Sequence, residues 1–361
     1  MKKFFTVLLS FAMILAMAAV AFAANPSAGS TIPIEKNLKV TNPTLTSVDG
    51  PGATFTYAVA PVAPSAANGG ITITDGNDHT GTVHQGPADG ITLSDSGTIS
   101  YPVGTAVNAS PTGADNKKSI NATADVTKFS APGIYRYQVS ETSNLGDCEA
   151  SNTDGTRYID VYVVNGNSGL EVSGLVLHDG STKDGAPAQK KTFDNAAFET
   201  VNVTLKKEVA GNMADKNNQF PFTAAISDHG RFHYTKKGAE PLADDATSTA
   251  ATESTTLAHS EMYYISGLSK SAMVGYTETN NTQDTYQVVY TGGESSAVAA
   301  NGTKEMAATD VDDAAAIVFT NTYEEASATG VNLRFGAPIF IFATAAVLFV
   351  VNRKSKRKVK N

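Results

Sequence analysis

Disulfides are excluded first. The 361-residue chain holds a single cysteine, Cys148, with no partner to bridge within the chain. It falls in the loop Asn144-Leu145-Gly146-Asp147-Cys148 and reads as an incidental thiol, not a nucleophile. Clustered basic residues are missing between the two ends. Nine of the 27 lysines and arginines sit at the termini (Lys2, Lys3, Arg334 and six in the basic tail), which leaves 18 against 35 acidic residues and a body of net charge −17. A body that acidic repels nucleic acid and anionic lipid, so neither is expected as its partner. No sustained helical period, glycine-rich phosphate loop or serine-nucleophile elbow is present. His229 and His233 stand four apart in a segment without helical character, which argues against shared metal ligation. Asp75, Asn77 and Asp78 lack the rest of a calcium-loop pattern and read as a turn. No metal or other cofactor is expected.

What is present begins at the ends. Lys2 and Lys3 precede a nearly continuous apolar run from Phe4 to Val20, and Ala21-Phe22-Ala23 fits an A-x-A cleavage site. Residues 1–23 therefore read as a cleaved signal peptide of an exported protein. A second apolar stretch, Phe335 to Val351, is followed by Arg353, Lys354, Lys356, Arg357, Lys358 and Lys360. It is just long enough to span a bilayer, with its basic tail on the cytoplasmic side and the body outside. Ala326-Ser327-Ala328-Thr329-Gly330 lies immediately before it. A Thr-Gly, an apolar span and a basic tail in that order resemble a cell-wall sorting signal of Gram-positive bacteria. The usual Leu-Pro-x-Thr-Gly or Val-Pro-Thr-Gly core would place a proline where Ala328 or Ser327 stands. A plain membrane anchor is the alternative.

The body between these segments is all-β in texture. Short alternating or valine-rich runs, such as Ile34–Val40, Gly133–Ser140, Arg157–Val164, Thr200–Val209 and Ala315–Asn321, are separated by Gly, Asn, Asp and Ser clusters. Regular spacing of such strands predicts β-sandwiches. The length suits two units, and the boundary falls near Ala197–Thr200, where one strand runs almost directly into the next. The predicted division is 24–198, 199–325 and a sorting region 326–361, with Ala243–Thr255 as an exposed loop of the second unit.

Two sets of polar residues stand on the wrong faces of these strands. Residues two apart share a face, so Lys36 lines up with Ile32, Ile34, Leu38 and Val40, and Lys207 with Val201, Val203, Leu205 and Val209. Glu141 follows Tyr135, Tyr137 and Val139, and Glu278 follows Val274 and Tyr276. Asn195 shares a face with Phe193 and Ala197, and Asn321 with Ile317, Phe319 and Tyr323. An amine, a carboxyl and an amide are thus directed twice into an apolar core, where each unpaired would cost several kcal/mol. Burial lowers a lysine pKa and raises that of a glutamic acid. A neutral amine beside a protonated carboxyl can attack the carboxamide, form an amide crosslink and release ammonia, with the carboxyl moving the protons.

The residues that carry this chemistry also carry a family resemblance. Ile34-Glu35-Lys36-Asn37-Leu38, Pro132 through Glu141, Val161-Tyr162-Val163-Val164 and Phe193-Asp194-Asn195 look like the first domain of Gram-positive backbone pilins. Lys206-Lys207-Glu208-Val209-Ala210-Gly211, Tyr276-Thr277-Glu278 and Phe319-Thr320-Asn321 look like the second. The chain is similar to the streptococcal T-antigen type with pilin isopeptide-linkage domains. The resemblance implies two tandem immunoglobulin-like β-sandwiches, each joined from first strand to last. The implied bonds are Lys36–Asn195, promoted by Glu141, and Lys207–Asn321, promoted by Glu278.

It further implies polymerisation by a sortase that cleaves between Thr329 and Gly330 and passes the acyl group to a lysine of the next subunit. Lys183, Lys190 and Lys191 lie near the reactive asparagine, and Lys190 is the chosen acceptor. The implied partners are sortase, neighbouring pilin subunits, other pilins and peptidoglycan, with membrane contact only before sorting. The place is a wall-anchored pilus on the cell surface, and the only chemistry is the chain's own crosslinking. A wall- or membrane-anchored adhesin built from the same domains is the first alternative. A secreted enzyme is the second, and it would need carboxylates converging in an open cleft.

Overall fold

The computed structural model describes residues 27–74, 80–150, 155–183, 186–187, 189–228, 232–236, 247–248, 252–279, 286–292, 303–310 and 316–325. The predicted signal peptide, the predicted sorting region with Thr329 and Gly330, the apolar stretch Phe335–Val351, the predicted Asp75–Asp78 turn and His229 lie outside the described residues. Among those described, no helix is long and apolar enough to cross a membrane.

Among the described residues strands dominate, joined by turns and three short 3-10 segments. The first half contributes β1 (Thr31–Thr41), β2 (Ala53–Pro61), β3 (Thr80–Gln85), β4 (Ile91–Leu93) and β5 (Thr98–Tyr101). It continues with β6 (Ala114–Ala124), β7 (Gly133–Asn144), β8 (Thr156–Gly166) and β9 (Gly169–His178). A single 19-residue strand, β10 (Thr192–Ala210), passes from the first half into the second. The second half contains β11 (Phe220–Ser227), β12 (Phe232–Lys236), β13 (Thr252–Leu257) and β14 (Met262–Ser269). It ends with β15 (Met273–Thr279), β16 (Gln287–Thr291), β17 (Thr303–Asp310) and β18 (Ala316–Thr322).

One sheet runs β9–β8–β7–β2–β5, with β3 parallel to β7. It faces the N-terminal half of β10 together with β1, β6 and β4 across one apolar core. A second core lies between the sheet β13–β11–β15–β17 and the C-terminal half of β10 with β12, β14, β18 and β16. In β1 the residues Ile32, Ile34, Leu38 and Val40 all turn inward, as a period of two requires. Each core has its first and last strands side by side and parallel: β1 with β10, and β10 with β18. Gly211 makes the second of these arrangements possible. Its φ is +104°, and a Cβ there would come within 2.0 Å of the Tyr323 carbonyl oxygen, just past β18.

The two cores meet through a polar seam. Asn42, fully buried, donates from Nδ2 to Thr200 Oγ1 (2.9 Å) and Asn202 Oδ1 (3.2 Å). Its Oδ1 accepts from the backbone N–H groups of Thr44 (2.9 Å) and Leu45 (2.6 Å). Lys270 forms an ion pair with Glu199, and Ser271 donates to Asp147 (3.1 Å).

Two sequence expectations are corrected here. The segment Ala243–Thr255 is not wholly an exposed loop, because Thr252–Leu257 forms β13 and buries Thr255 and Leu257 against β11. A threonine-rich segment can form a strand once a partner edge is available. Cys148 lies in the expected loop, with its side chain packed into the first core, where burial pushes its thiol pKa up to about 12. Finally, Ala197 does not share the core-facing side with Phe193. The ladder between β10 and β1 shifts register between Phe193 and Ala196, and this bulge turns Ala196 and Phe198 inward instead.

Candidate functional site

In the first core, β1 supplies Lys36, β7 supplies Glu141 and the bulged start of β10 supplies Asn195. Lys36 is fully buried. Its Nζ donates to Glu141 Oε1 (3.0 Å) and Oε2 (3.1 Å), and also to the Asn195 side-chain oxygen. Asn195 Nδ2 donates to Glu141 Oε1 at 2.9 Å, so each of the three groups touches the other two. Burial lowers the Lys36 pKa, against the opposing charge and hydrogen bond of Glu141. The Phe55 ring lies beneath the amine, with Nζ 3.8 Å from its centroid.

The second core gathers the same three groups, Lys207 from β10, Glu278 from β15 and Asn321 from β18, all fully buried, with Glu278 bonded to both of the others. Lys207 Nζ donates to Glu278 Oε2 (2.7 Å), and Asn321 Nδ2 donates to Glu278 Oε1. Burial depresses the lysine pKa to about 8 despite the nearby carboxyl. Burial also raises the Glu278 pKa, against the opposing effects of Lys207 and Asn321. Both shifts favour a neutral amine beside a protonated acid, the pairing that nucleophilic attack requires. The rings of Phe220 and Phe222 flank this amine, their centroids 4.4 and 5.6 Å from Nζ.

The register of the two sites is the same. Lys36 lies opposite Phe193, two residues before Asn195, and Lys207 lies opposite Phe319, two residues before Asn321. Each glutamate faces an aromatic residue across its own sheet, Tyr57 in one case and Phe222 in the other. The structure thus brings all six sequence-selected residues together in two groups of three.

The sequence reading missed the aromatic floor beneath each amine. Its signal is Phe55-x-Tyr57 in β2 and Phe220-x-Phe222 in β11, one strand-face repeat in each half. It also missed a third buried cluster on the outer face of the β7–β8–β9 sheet. There Arg136 pairs bidentately with Asp160 (2.7 Å for both bonds), and its other arm reaches Asn68 Oδ1 (3.1 Å) and the Gly70 carbonyl (2.6 Å). His178 Nε2 stands 3.3 Å from the same carboxylate. Burial would raise the Asp160 pKa, but Arg136 and His178 together hold it below the usual range.

Among the lysines considered as acceptors, Lys190 and Lys191 line an open recess with Arg157, Asp194 and Asn195. Lys190 is half exposed and ion-paired with Asp179. Lys183 belongs to a short strand whose side chains are not described. Among the described residues, no group of His, Cys, Asp and Glu side chains is arranged to hold a metal ion.

The family described as Domain of unknown function (DUF7601) matches residues 201–323, which span the second core. No curated protein matches the chain. Among solved structures, the chain is similar to the major pilin protein T3.2 of Streptococcus pyogenes serotype GAS13637, with 20% identity and a TM-score of 0.51. That alignment covers 84% of this chain and 100% of the other. A further S. pyogenes major pilin aligns at 18% identity and TM-score 0.49, covering 82% of this chain and 99% of its own. The T-13 major pilin of serotype GAS131465 aligns at 23% identity and TM-score 0.47, covering 83% and 100%.

Proposed function

We propose that this chain is the shaft subunit of a sortase-assembled surface pilus, hardened by two isopeptide bonds that it forms on itself. The observation that carries this reading is the repeated contact of an amine, a carboxyl and a carboxamide across adjacent first and last strands, at one register in both cores. The fold shared with the T3.2 major pilin supports it.

In each core the neutral lysine nitrogen attacks Cγ of the asparagine. The N–Cγ bond forms, the amine loses a proton to the glutamate, and the glutamate proton passes to Nδ2. The Cγ–Nδ2 bond then breaks and one ammonia leaves. No electron is gained or lost. Holding the reactants in contact supplies the effective concentration, and exclusion of water keeps the amine neutral.

The units 24–198 and 199–325 are immunoglobulin-like domains in this reading. A bond from first to last strand carries tension past most of each domain's hydrogen bonds. Sortase joins Thr329 of one subunit to Lys190 of the next, after cleavage before Gly330, and the finished polymer is anchored to the wall. The chain is a structural protein whose only chemistry is intramolecular. Intact mass tests the crosslinking: the mature body should weigh less than its sequence by two ammonia molecules, and an unmodified mass overturns the reading. High-mass ladders in wall extracts, lost in a Thr329→Ala strain, test the polymer.

A further inference from the structure

The two sites correspond in their lysine, glutamate, asparagine and paired aromatics, and the aromatic that faces the glutamate differs by one oxygen atom. Phe55 and Phe220 both underlie a lysine amine, and two residues later Tyr57 and Phe222 both face the glutamate. Only Tyr57 has a hydroxyl, and it donates to Glu141 Oε2 at 2.7 Å. Its ring is buried and packed edge-on against Phe193 at 5.1 Å between centroids, so the hydroxyl is held from behind.

The first site also has a weakness that the second lacks. The bulge in β10 leaves Asn195 partly exposed beside an open recess, whereas Asn321 is fully enclosed. Solvent can therefore reach the amide of the first site, while the Glu141 side chain itself stays enclosed at 2% exposure. Glu278 divides its oxygens between Lys207 and Asn321, while Lys36 reaches both oxygens of Glu141. Something else has to fix which oxygen faces the amide.

We propose that Tyr57 is a positioning residue for the Lys36–Asn195 crosslink, pinning Glu141 Oε2 so that Oε1 stays against the departing nitrogen of Asn195. This rests on the crosslinking reading above. Tyr57 keeps its own proton throughout, because burial and the adjacent Glu141 push its pKa up. It acts through the carboxyl and exchanges nothing with the reactants.

The test uses the full chain, captured unfolded in denaturant before reaction and refolded into buffers of different pH. Each bond is followed in time by peptide mapping. In Tyr57→Phe the first bond should form about tenfold more slowly, the worth of roughly one hydrogen bond in a barrier. The Lys207–Asn321 bond of the same molecules should keep its rate. The pH profile of the first bond should also move, which a merely structural loss would not cause. A chain with 3-fluorotyrosine at position 57 keeps the hydroxyl and should retain a rate close to the unsubstituted one. If Tyr57→Phe does not fold, the fluorinated chain decides: its more acidic hydroxyl should shift the first-bond pH profile, and an unmoved profile overturns the proposal. A folded Tyr57→Phe that closes the first bond at the original rate overturns it too. If the unsubstituted chain forms neither bond, the crosslinking reading itself falls.

Discussion

Lys207 lies directly opposite Phe319 on the parallel pair β10 and β18, which places the amine beside Asn321, two residues further along the same face. Parallel pairing at this register brings a lysine and an asparagine together without any loop to position them. The side-chain alternation of the two strands is sufficient. The geometry is built when the strands pair, so the proposed reaction follows folding and needs no partner.

Removing either glutamate should abolish one bond and spare the other. Glu278→Ala should leave a chain lighter than its sequence by one ammonia, with Lys207 and Asn321 recovered on separate peptides. Glu141→Ala should give the complementary map. Loss of both bonds in either variant would show that the two cores do not react independently.

The second bond should depend on pH through Lys207. A lysine pKa depressed to about 8 means that the neutral amine predominates above that pH and falls about tenfold per unit below it. Rates of forming the second bond, mapped between pH 6 and 8 after refolding, should rise accordingly. They should decline again once the pH exceeds the raised pKa of Glu278 and its proton is lost. In the unreacted chain the sign for stability is the same on the lysine side. The folded form binds that proton less tightly than the unfolded form, so stability contributed by Lys207 is lost as pH falls from the ordinary lysine range through about 8. A rate independent of pH across this window would contradict the neutral-amine mechanism.

Asp160→Ala should destabilise the first core by about 3–5 kcal/mol, because it strands the buried Arg136 guanidinium beside His178. Denaturant unfolding in a Glu141→Ala background measures this without the covalent bond intervening. The double variant Asp160→Ala with Arg136→Leu should lose less than the single one, since no charge is then left unpaired.

Asn42→Ala should cost about 2 kcal/mol, because it orphans the backbone N–H groups of Thr44 and Leu45 and empties the seam toward Thr200 and Asn202. Faster hydrogen exchange at Thr44 and Leu45, with a lower unfolding midpoint, is the expected readout.

The six residues of the two buried clusters were legible because a lysine at an inward position of β1 or β10 contradicts the alternation around it. The same rule could not locate the bulge at Asn195, since Phe193-Asp194-Asn195 carries no glycine to mark it. Strand β6 went unread for a different reason. Its sequence Ala-Asp-Asn-Lys-Lys-Ser-Ile-Asn-Ala-Thr-Ala has a polar outer face and only small or isolated apolar residues within, so it owes its form to the long ladder with β1. Arg136 was equally silent. It alternates outward between Tyr135 and Tyr137, and its partners Asp160, Asn68 and Gly70 come from separate segments. Contacts of that sequence separation leave no local trace.

The unbroken passage of β10 through both cores bears on how the chain withstands proteases. With both proposed bonds in place, residues 36–195 and 207–321 are two covalent rings, and a single nick inside either leaves the pieces attached. Only a cut within Ala196–Lys206 would part the halves. That segment is engaged along its length, with β1 up to Glu199, with β14 from Thr200 and with β18 from Thr204. A protease needs its substrate as a free extended strand, and here the backbone groups it would bind are already taken. The one severable link is the stretch the fold keeps out of reach.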